Sequence, residues 1–387
     1  NAGTSQIAKN INLKTNNFRN IKEYILQNEI DLIIVGPEKP LVDGIVDYLE
    51  KYNIKVFGPN QIASKLEGSK IFTKKICKKY NIPTANFGVF KNVNNSRKFL
   101  EMSNFPVVVK ADNLASGKGV YICKNFDESL VAIKEIFDGK FGKAKKVLIE
   151  EFLEGEEMSY FIISDGVSIK NFGTAQDHKK VLEGDKGKNT GGMGAYSPSR
   201  LITNKLEKKI IKKIIKPTLL AIKELGTSYK GFLYAGLMII KNEPFLIEYN
   251  VRMGDPECQT ILPILKTDLT EVILACCEKK LHKTKIEWHK KKSICIVLCS
   301  NGYPDKFSKN IEIRGINKIK TNKNNFIFHA GTSRQNGKIF AVGGRVLNFI
   351  SISNDFIMAR KKIINNLKKL NWSKGFYRKD IAFKVIE

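Results

Sequence analysis

Between residues 245 and 259 the chain reads FLIEYNVRMGDPECQ, and side chains able to do chemistry recur at alternate positions: Glu248, Asn250 and Arg252. Alternation of this kind suits a strand, whose successive side chains point to opposite faces. On that reading Phe245, Ile247 and Tyr249 pack on one side, while the acid, the amide and the arginine look out on the other. A surface strand with a solvated polar face shows the same alternation. The end of the run sets it apart, because Gly254, Asp255 and Pro256 stop the strand and turn Asp255 and Glu257 back over it. An acid and an amide two residues apart are hard oxygen ligands of the kind Mg²⁺ takes. An arginine beside them is what a phosphate needs. The run therefore predicts a magnesium nucleotide site.

Three further stretches can serve such a site. In VVKADNLASGKGV (108–120), Gly117 and Gly119 let backbone N–H groups approach phosphates, and Lys110 and Lys118 supply charge. The spacing is not that of a Walker A loop, and a surface hairpin fits the run as well. In IEEFLEGEE (149–157), the backbone of Glu151, Phe152 and Leu153 can read an adenine edge while Glu156 or Glu157 accepts from ribose hydroxyls; an exposed acidic turn is the alternative. In NTGGMGAYSP (189–198), Gly191, Gly192 and Gly194 offer flexible donors able to close over a substrate. The four histidines, at 178, 282, 289 and 329, share no metal spacing with each other or with a cysteine, and no Gly-x-Ser-x-Gly elbow occurs. Zinc chemistry and ordinary serine hydrolysis are thereby disfavoured.

The elements that must position these residues alternate. A helix-like stretch at 17–28 precedes an apolar strand, DLIIVGPE (31–38), a helix at 41–52 and a strand, KVFGP (55–59), which predicts a parallel α/β sheet. Ligand crevices lie at the carboxyl ends of such strands, where Glu38 and Pro40 fall. A helix at 69–80 leads to a small module of strands and helices at 105–153, then a hairpin at 158–173. A long uncovered loop is expected at 174–198, a helix at 205–225 and a strand at 232–241. Beyond residue 279 short strands and a helix at 354–370 predict a smaller α+β domain.

Composition excludes several alternatives. At 387 residues with 42% hydrophobic side chains the chain can build two or three domains with a sizeable core. No window approaches the roughly 18–20 apolar residues of a membrane span. The charge of +28 is spread along helix-like stretches such as 205–225 and accompanies much Asn and Ile, which speaks for compositional bias and not for a nucleic-acid patch. Seven cysteines without a CxxC pair suit buried thiols in a reducing compartment. The opening NAGTSQIAKNINL has no initiator Met, leader or strand, so native residues are expected ahead of it.

Together these stretches resemble the ATP-grasp ligases, and within them the branch that joins glycine to 5-phosphoribosylamine. The resemblance covers nearly the whole chain. Beyond the runs already quoted it includes GPEKPLVDGIVD (36–47), FGPNQIASKLEGSKIFTK (57–74), QDHKK (176–180), HAGT (329–332), GGRVL (343–347) and YRKDIA (377–382). It implies three parts: a pre-ATP-grasp α/β remainder at 1–70, an ATP-grasp domain at 71–278 with its nucleotide clamp at 105–173, and a C-terminal α+β domain at 279–387. It implies ATP bound by Lys110, Lys118, Gly117, Gly119, Glu151–Leu153, Glu156 and Glu157. Glu248 and Asn250 match the family's ligands for Mg²⁺ or Mn²⁺. Arg252, Asp255 and Lys118 would act on the transferring phosphoryl group. Glu38, Pro40, Asp177, His178, Lys179, Gly191, Gly192, Met193, Gly194, Asp255, Pro256 and Glu257 would lie near glycine and 5-phosphoribosylamine. The implied reaction runs through glycyl phosphate in purine synthesis, in a cytoplasmic monomer with neither nucleic acid nor membrane as partner.

This sequence departs from the family pattern at Asn113, Ser116, Lys188 and Ala382, none of which removes a charge or a ligand. The strand before Glu248 reads GFLYAGLMII and lacks the further carboxylate many ATP-grasp enzymes carry, so water and phosphates must complete the metal shell. The strand and GNGGREHA loop with which family members begin also precede the first residue here, which implies a first domain without its first strand.

Overall fold

Apolar runs rich in Ile and Val alternate with lysine-rich amphipathic stretches, and the computed structural model turns them into strands covered by helices; it describes residues 1–114, 119–142 and 144–386. Near the start, strands Ile33–Ile34 and Val56–Phe57 pair in parallel, as the alternation predicts. The single helix expected between them is two, Glu38–Asp43 and Ile45–Glu50, because Gly44 adopts φ +91° and caps the first.

A small module follows. Its four antiparallel strands lie in the order Phe87–Phe90, Val147–Glu151, Val107–Ala111, Val120–Cys123. Helices Val93–Glu101 and Phe126–Phe137 are each started by an asparagine whose side chain accepts from a backbone N–H, Asn92 from Asn95 and Asn125 from Glu128. They bury Leu100, Ile133 and Ile136 against Val109 and Ile149. The opposite side of the module faces a cleft, whose other wall is a nine-stranded sheet.

That sheet runs Glu243–Asn250, Lys230–Ile240, Glu156–Asp165, Ile169–Asp177, Gly194–Ser197, Lys292–Ser300, Arg345–Ser353, Asn325–His329, with Gly375–Phe376 also on Lys292–Ser300. The short strand Gly194–Ser197 pairs with Ile169–Asp177 on one side and Lys292–Ser300 on the other. C-terminal strands thus extend the sheet that carries the polar run, and their ends reach the cleft.

Three expectations change. The strand Glu243–Asn250 bulges: Leu246 pairs with Leu237 and Glu248 with Gly236, leaving Ile247 as the extra residue. The buried side chains are therefore Pro244, Leu246 and Tyr249, with Phe245 on the side of Glu248 and Asn250. The expected loop at 174–198 is mostly strand, folded at Gly184 and Asp185 into a hairpin of Lys180–Leu182 and Lys186–Asn189. The helix at 205–225 widens into a π turn at Ile211–Ile215, next to Pro217, whose nitrogen has no proton to give the preceding turn. Among the described residues no helix is long and apolar enough to cross a membrane.

Candidate functional site

The cleft between the small module and the large sheet encloses about 1300 Å³, room for a nucleotide and a second molecule. On the module side Lys110 is buried, and its Nζ donates to Glu150 Oε2 at 2.9 Å. Lys74 meets the same carboxylate at 3.3 Å from the helix Lys70–Lys79. Burial lowers the ammonium pKa of both Lys74 and Lys70 from the ordinary lysine value. Lys70 and Lys74 share one helix face, being four residues apart, and both line the cleft. Phe152 and Leu153 line it too, and among the described residues they make no main-chain hydrogen bond, so a free backbone edge lies beside the lysines.

On the sheet side, Glu248 stands opposite Gly236 and Asn250 opposite Tyr234, on one face. Burial raises the Glu248 carboxyl, but Lys179, Lys110 and Lys70 outweigh it and hold the group below the usual range. Beyond burial, the leading influences on it are charges, and among the described residues no side chain donates a hydrogen bond to it. Asn250 Oδ1 receives only a long contact, 3.5 Å, from Arg252. Two oxygen donors on one face, one of them a carboxylate with no hydrogen-bond partner among the described residues, fit a hard divalent cation. Among the described residues no cluster of three His, Cys, Asp or Glu able to hold a metal exists.

Arg252 is fixed from three sides. It donates to Glu38 Oε2 at 2.9 Å, to Glu67 Oε1 at 2.8 Å and to the carbonyl of Met253 at 3.0 Å. Deeper along the sheet, Lys179 donates to Glu157 at 2.6 Å. Burial pulls the Lys179 ammonium down, yet Glu157, Tyr234, Glu248 and Asp177 hold it well above its ordinary value. Asp177 is pushed up, by burial first and then by Glu257, and its Oδ1 meets no donor among the described residues. Glu257 is buried and accepts from Ser159 at 3.0 Å. It lies so close to Gly254 that a Cβ there would sit 2.3 Å from its Oε2, so any side chain at that turn would displace the Glu257 carboxylate.

The three matching family models describe phosphoribosylglycinamide synthetase: its N domain over residues 1–67, its ATP-grasp (A) domain over 68–258 and its C domain over 293–384. The chain belongs to this family. Among relatives, the phosphoribosylamine–glycine ligase of Caldanaerobacter subterraneus subsp. tengcongensis is 45% identical over 99% of this chain and 91% of its own length. The Haemophilus influenzae ligase of the same name is 42% identical, over 100% and 91%. The crystal structure of the Thermotoga maritima ligase matches with a TM-score of 0.85 at 32% identity, covering 99% of this chain and 92% of that one. A 2-oxoglutarate carboxylase biotin carboxylase domain from Hydrogenobacter thermophilus shares the fold at 19% identity, with a TM-score of 0.71.

The cleft gathers most of the residues singled out from sequence. Lys110, Gly119, Glu151, Phe152, Leu153 and Glu157 line it. Glu38, Asp177, Lys179, Gly191, Asp255 and Glu257 line it around Glu248, Asn250 and Arg252. The Glu151 side chain itself is taken by Asn86, which donates from its backbone and its amide. Gly117 and Lys118 lie outside the described residues. Several others turn away. Glu156 pairs with Arg200, because it points opposite to Glu157 on the same strand. Pro40, Met193, Gly194 and Pro256 are buried in packing, and Gly192 is pressed between Pro256 and Asp177. His178 is 2% exposed: its Nε2 accepts from the Ala382 N–H at 3.0 Å and its Nδ1 faces Asp185. Burial lowers its pKa and keeps it neutral, so it serves the hairpin and not a substrate. Lys70, Lys74, Glu67, Glu150, Tyr303 and Arg345 had no role from sequence; the spacing of Lys70 and Lys74 on one helix face was the available signal.

The YRKDIA segment locks the hairpin's tip. Arg378, 1% exposed, donates to Asp185 at 2.8 Å, to Asp380 at 2.6 Å and to the carbonyl of Lys180 at 2.9 Å. Burial raises the Asp185 carboxyl, but His178, Arg378 and Lys384 draw it well below its ordinary value. A carboxyl depressed in the native state adds stability above its unfolded pKa, and that stability fades as the pH falls below about 4. Asp185→Asn is expected to be about 1–3 kcal/mol less stable at neutral pH and to lose less on acidification. Urea midpoints measured from pH 7 down to pH 3 check this; parallel curves for the two proteins would assign the acid sensitivity to another group.

Proposed function

We propose that this chain joins glycine to 5-phosphoribosylamine with cleavage of ATP to ADP and phosphate, through glycyl phosphate, giving glycinamide ribonucleotide for de novo purine synthesis. One observation carries the reading: Glu248, Asn250 and Arg252 share a cleft with Lys70, Lys110 and Lys179, so oxygen ligands and phosphate-neutralising charge converge on one place. The free backbone at Phe152 and Leu153 suits the adenine edge, and Glu157 the ribose. Glu248 and Asn250 would hold Mg²⁺ or Mn²⁺, which when bound supplies positive charge to the phosphate oxygens.

In the first step a glycine carboxylate oxygen attacks the γ-phosphorus and ADP leaves. The lysines balance the charge that spreads over the transferring phosphoryl group, and Arg252, held in place by Glu38 and Glu67, directs its remaining charge into the cleft. In the second step the amine of 5-phosphoribosylamine attacks the acyl carbon, the carbon–oxygen bond to phosphate breaks, and the nitrogen gives up a proton. Asp177, Lys179 and Glu257 lie where an amino acid's two charges need partners of opposite sign. The substrates are small molecules, and seven free thiols with no disulfide suit a reducing cytoplasm.

ADP release measured with Mg-ATP, glycine and freshly generated 5-phosphoribosylamine, each omitted in turn, tests the reading. Sustained release is expected only with both acceptors present. Equal turnover without glycine would overturn it.

A further inference from the structure

Two motifs are used by no step above: HAGT at 329–332 and GGRVL at 343–347. The structure packs them back to back, so tightly that a Cβ on Gly331 would lie 2.5 Å from the Cα of Gly343. Their product is the placement of Arg345. From the start of its strand, Arg345 crosses to two segments of the cleft wall. Its Nη1 donates to the carbonyl of Gly191 at 2.7 Å and to the carbonyl of Asp255 at 2.8 Å. The guanidinium also grips the Asp255 carboxylate, Nη1 to Oδ1 at 3.2 Å and Nη2 to Oδ2 at 2.8 Å. Beside it the Tyr303 hydroxyl accepts from the Gly191 N–H at 2.9 Å. Gly191 is therefore held by both its backbone groups from C-terminal residues. A Cβ on it would meet the guanidinium carbon at 3.0 Å, so a larger residue here would push the guanidinium aside by a few tenths of an ångström.

Arg345 lines the cleft with these atoms already committed, and only 21% of its side chain is exposed. A planar fork with several fixed donors can join two segments in one geometry; a lysine's single ammonium cannot.

We propose that Arg345 is a positioning residue: with Tyr303 it latches Gly191 to Asp255, closing the cleft wall so that water does not reach the acyl phosphate before the amine does. This rests on the reaction proposed above. Without the latch a water oxygen adds to the acyl carbon, the bond to phosphate breaks, and glycine, phosphate and a proton result. ATP is then hydrolysed with no ligation.

Two readouts test it on the full chain: ADP formed per glycinamide ribonucleotide formed, and deuterium uptake of peptides covering 189–193 and 293–300. The unaltered chain is expected to give about one ADP per product, and Arg345→Gln several-fold more, with uptake at 189–193 faster by about tenfold while 293–300 keeps its protection. Tyr303→Phe, which removes one hydrogen bond, is expected to move both readouts in the same direction by less, and Arg345→Lys to recover part of the loss. A variant that slows turnover with the ratio still near one and uptake unchanged overturns the latch. So does a rise confined to KM for 5-phosphoribosylamine, which would make Arg345 a direct ligand of that substrate. If the unaltered chain forms no product, the reaction proposed above fails; unchanged uptake in Arg345→Gln then overturns the latch as a separate result.

Discussion

Glu248→Ala is expected to lower turnover by about a thousandfold or more, roughly 4 kcal/mol of transition-state stabilisation, while the chain folds as before. The two halves of this expectation have different grounds. Glu248 shares one face with Asn250, where the two oxygens can serve a cation together, and Gly236 opposite it has no side chain to substitute. Its charge also offsets part of that of Lys179, Lys110 and Lys70, so its loss makes the cleft more positive before any substrate arrives. Yet no hydrogen bond among the described residues is lost, and the side chain is not part of the core, so the melting temperature should move little. Glu248→Gln separates charge from shape: it keeps an oxygen in place and is expected to lose most of the activity too. Steady-state rates beside thermal melts decide the matter. A folded, active alanine variant would remove the cation from this position.

What the sequence made legible follows from how local the cause is. Parallel pairing near the start, the lysine beside a strand end at 110, and the pairing of Glu248 with Asn250 are written within a few residues, where period and turn chemistry act. The bulge at Ile247 escaped because it depends on register with Lys230–Ile240, which decides whether Leu246 or Phe245 faces the core. The hairpin at 180–189 escaped for a similar reason: its strands are short and exposed, and its tip is held by Arg378 from nearly two hundred residues away. The resemblance set His178 near the substrates; its ring is instead bonded to Ala382 and faces Asp185, and only the folded chain brings the first of these near. Arg345 shows the limit plainly. Its motif was visible, but its task lies in bonds to Gly191 and Asp255, each on a segment that pattern alone assigns to another part of the molecule.

Arg252 carries the second large effect, and it combines catalysis with stability. Arg252→Ala is expected to lower kcat by about a hundredfold to a thousandfold, the range for removing a preorganised charge from a transition state. It should also destabilise the fold by about 3–5 kcal/mol, because Glu67, with 8% of its side chain exposed, is left with no counter-ion. Burial already pushes the Glu67 carboxyl up to about 7, against the pull of Arg252 and the Val251 N–H. A carboxyl raised in the native state favours the fold below its unfolded pKa, and this contribution is lost as the pH rises through the folded value. Removing Arg252 raises it further, so the stability deficit should be small near pH 5, where Glu67 is protonated in both proteins, and full near pH 8. Arg252→Ala combined with Glu67→Gln then separates the two roles, since a neutral amide needs no guanidinium. The melting temperature should recover and the rate should not. Recovery of both would reduce Arg252 to a brace for the helix Gln61–Gly68 and leave Lys70, Lys110 and Lys179 as the charges that face the phosphates.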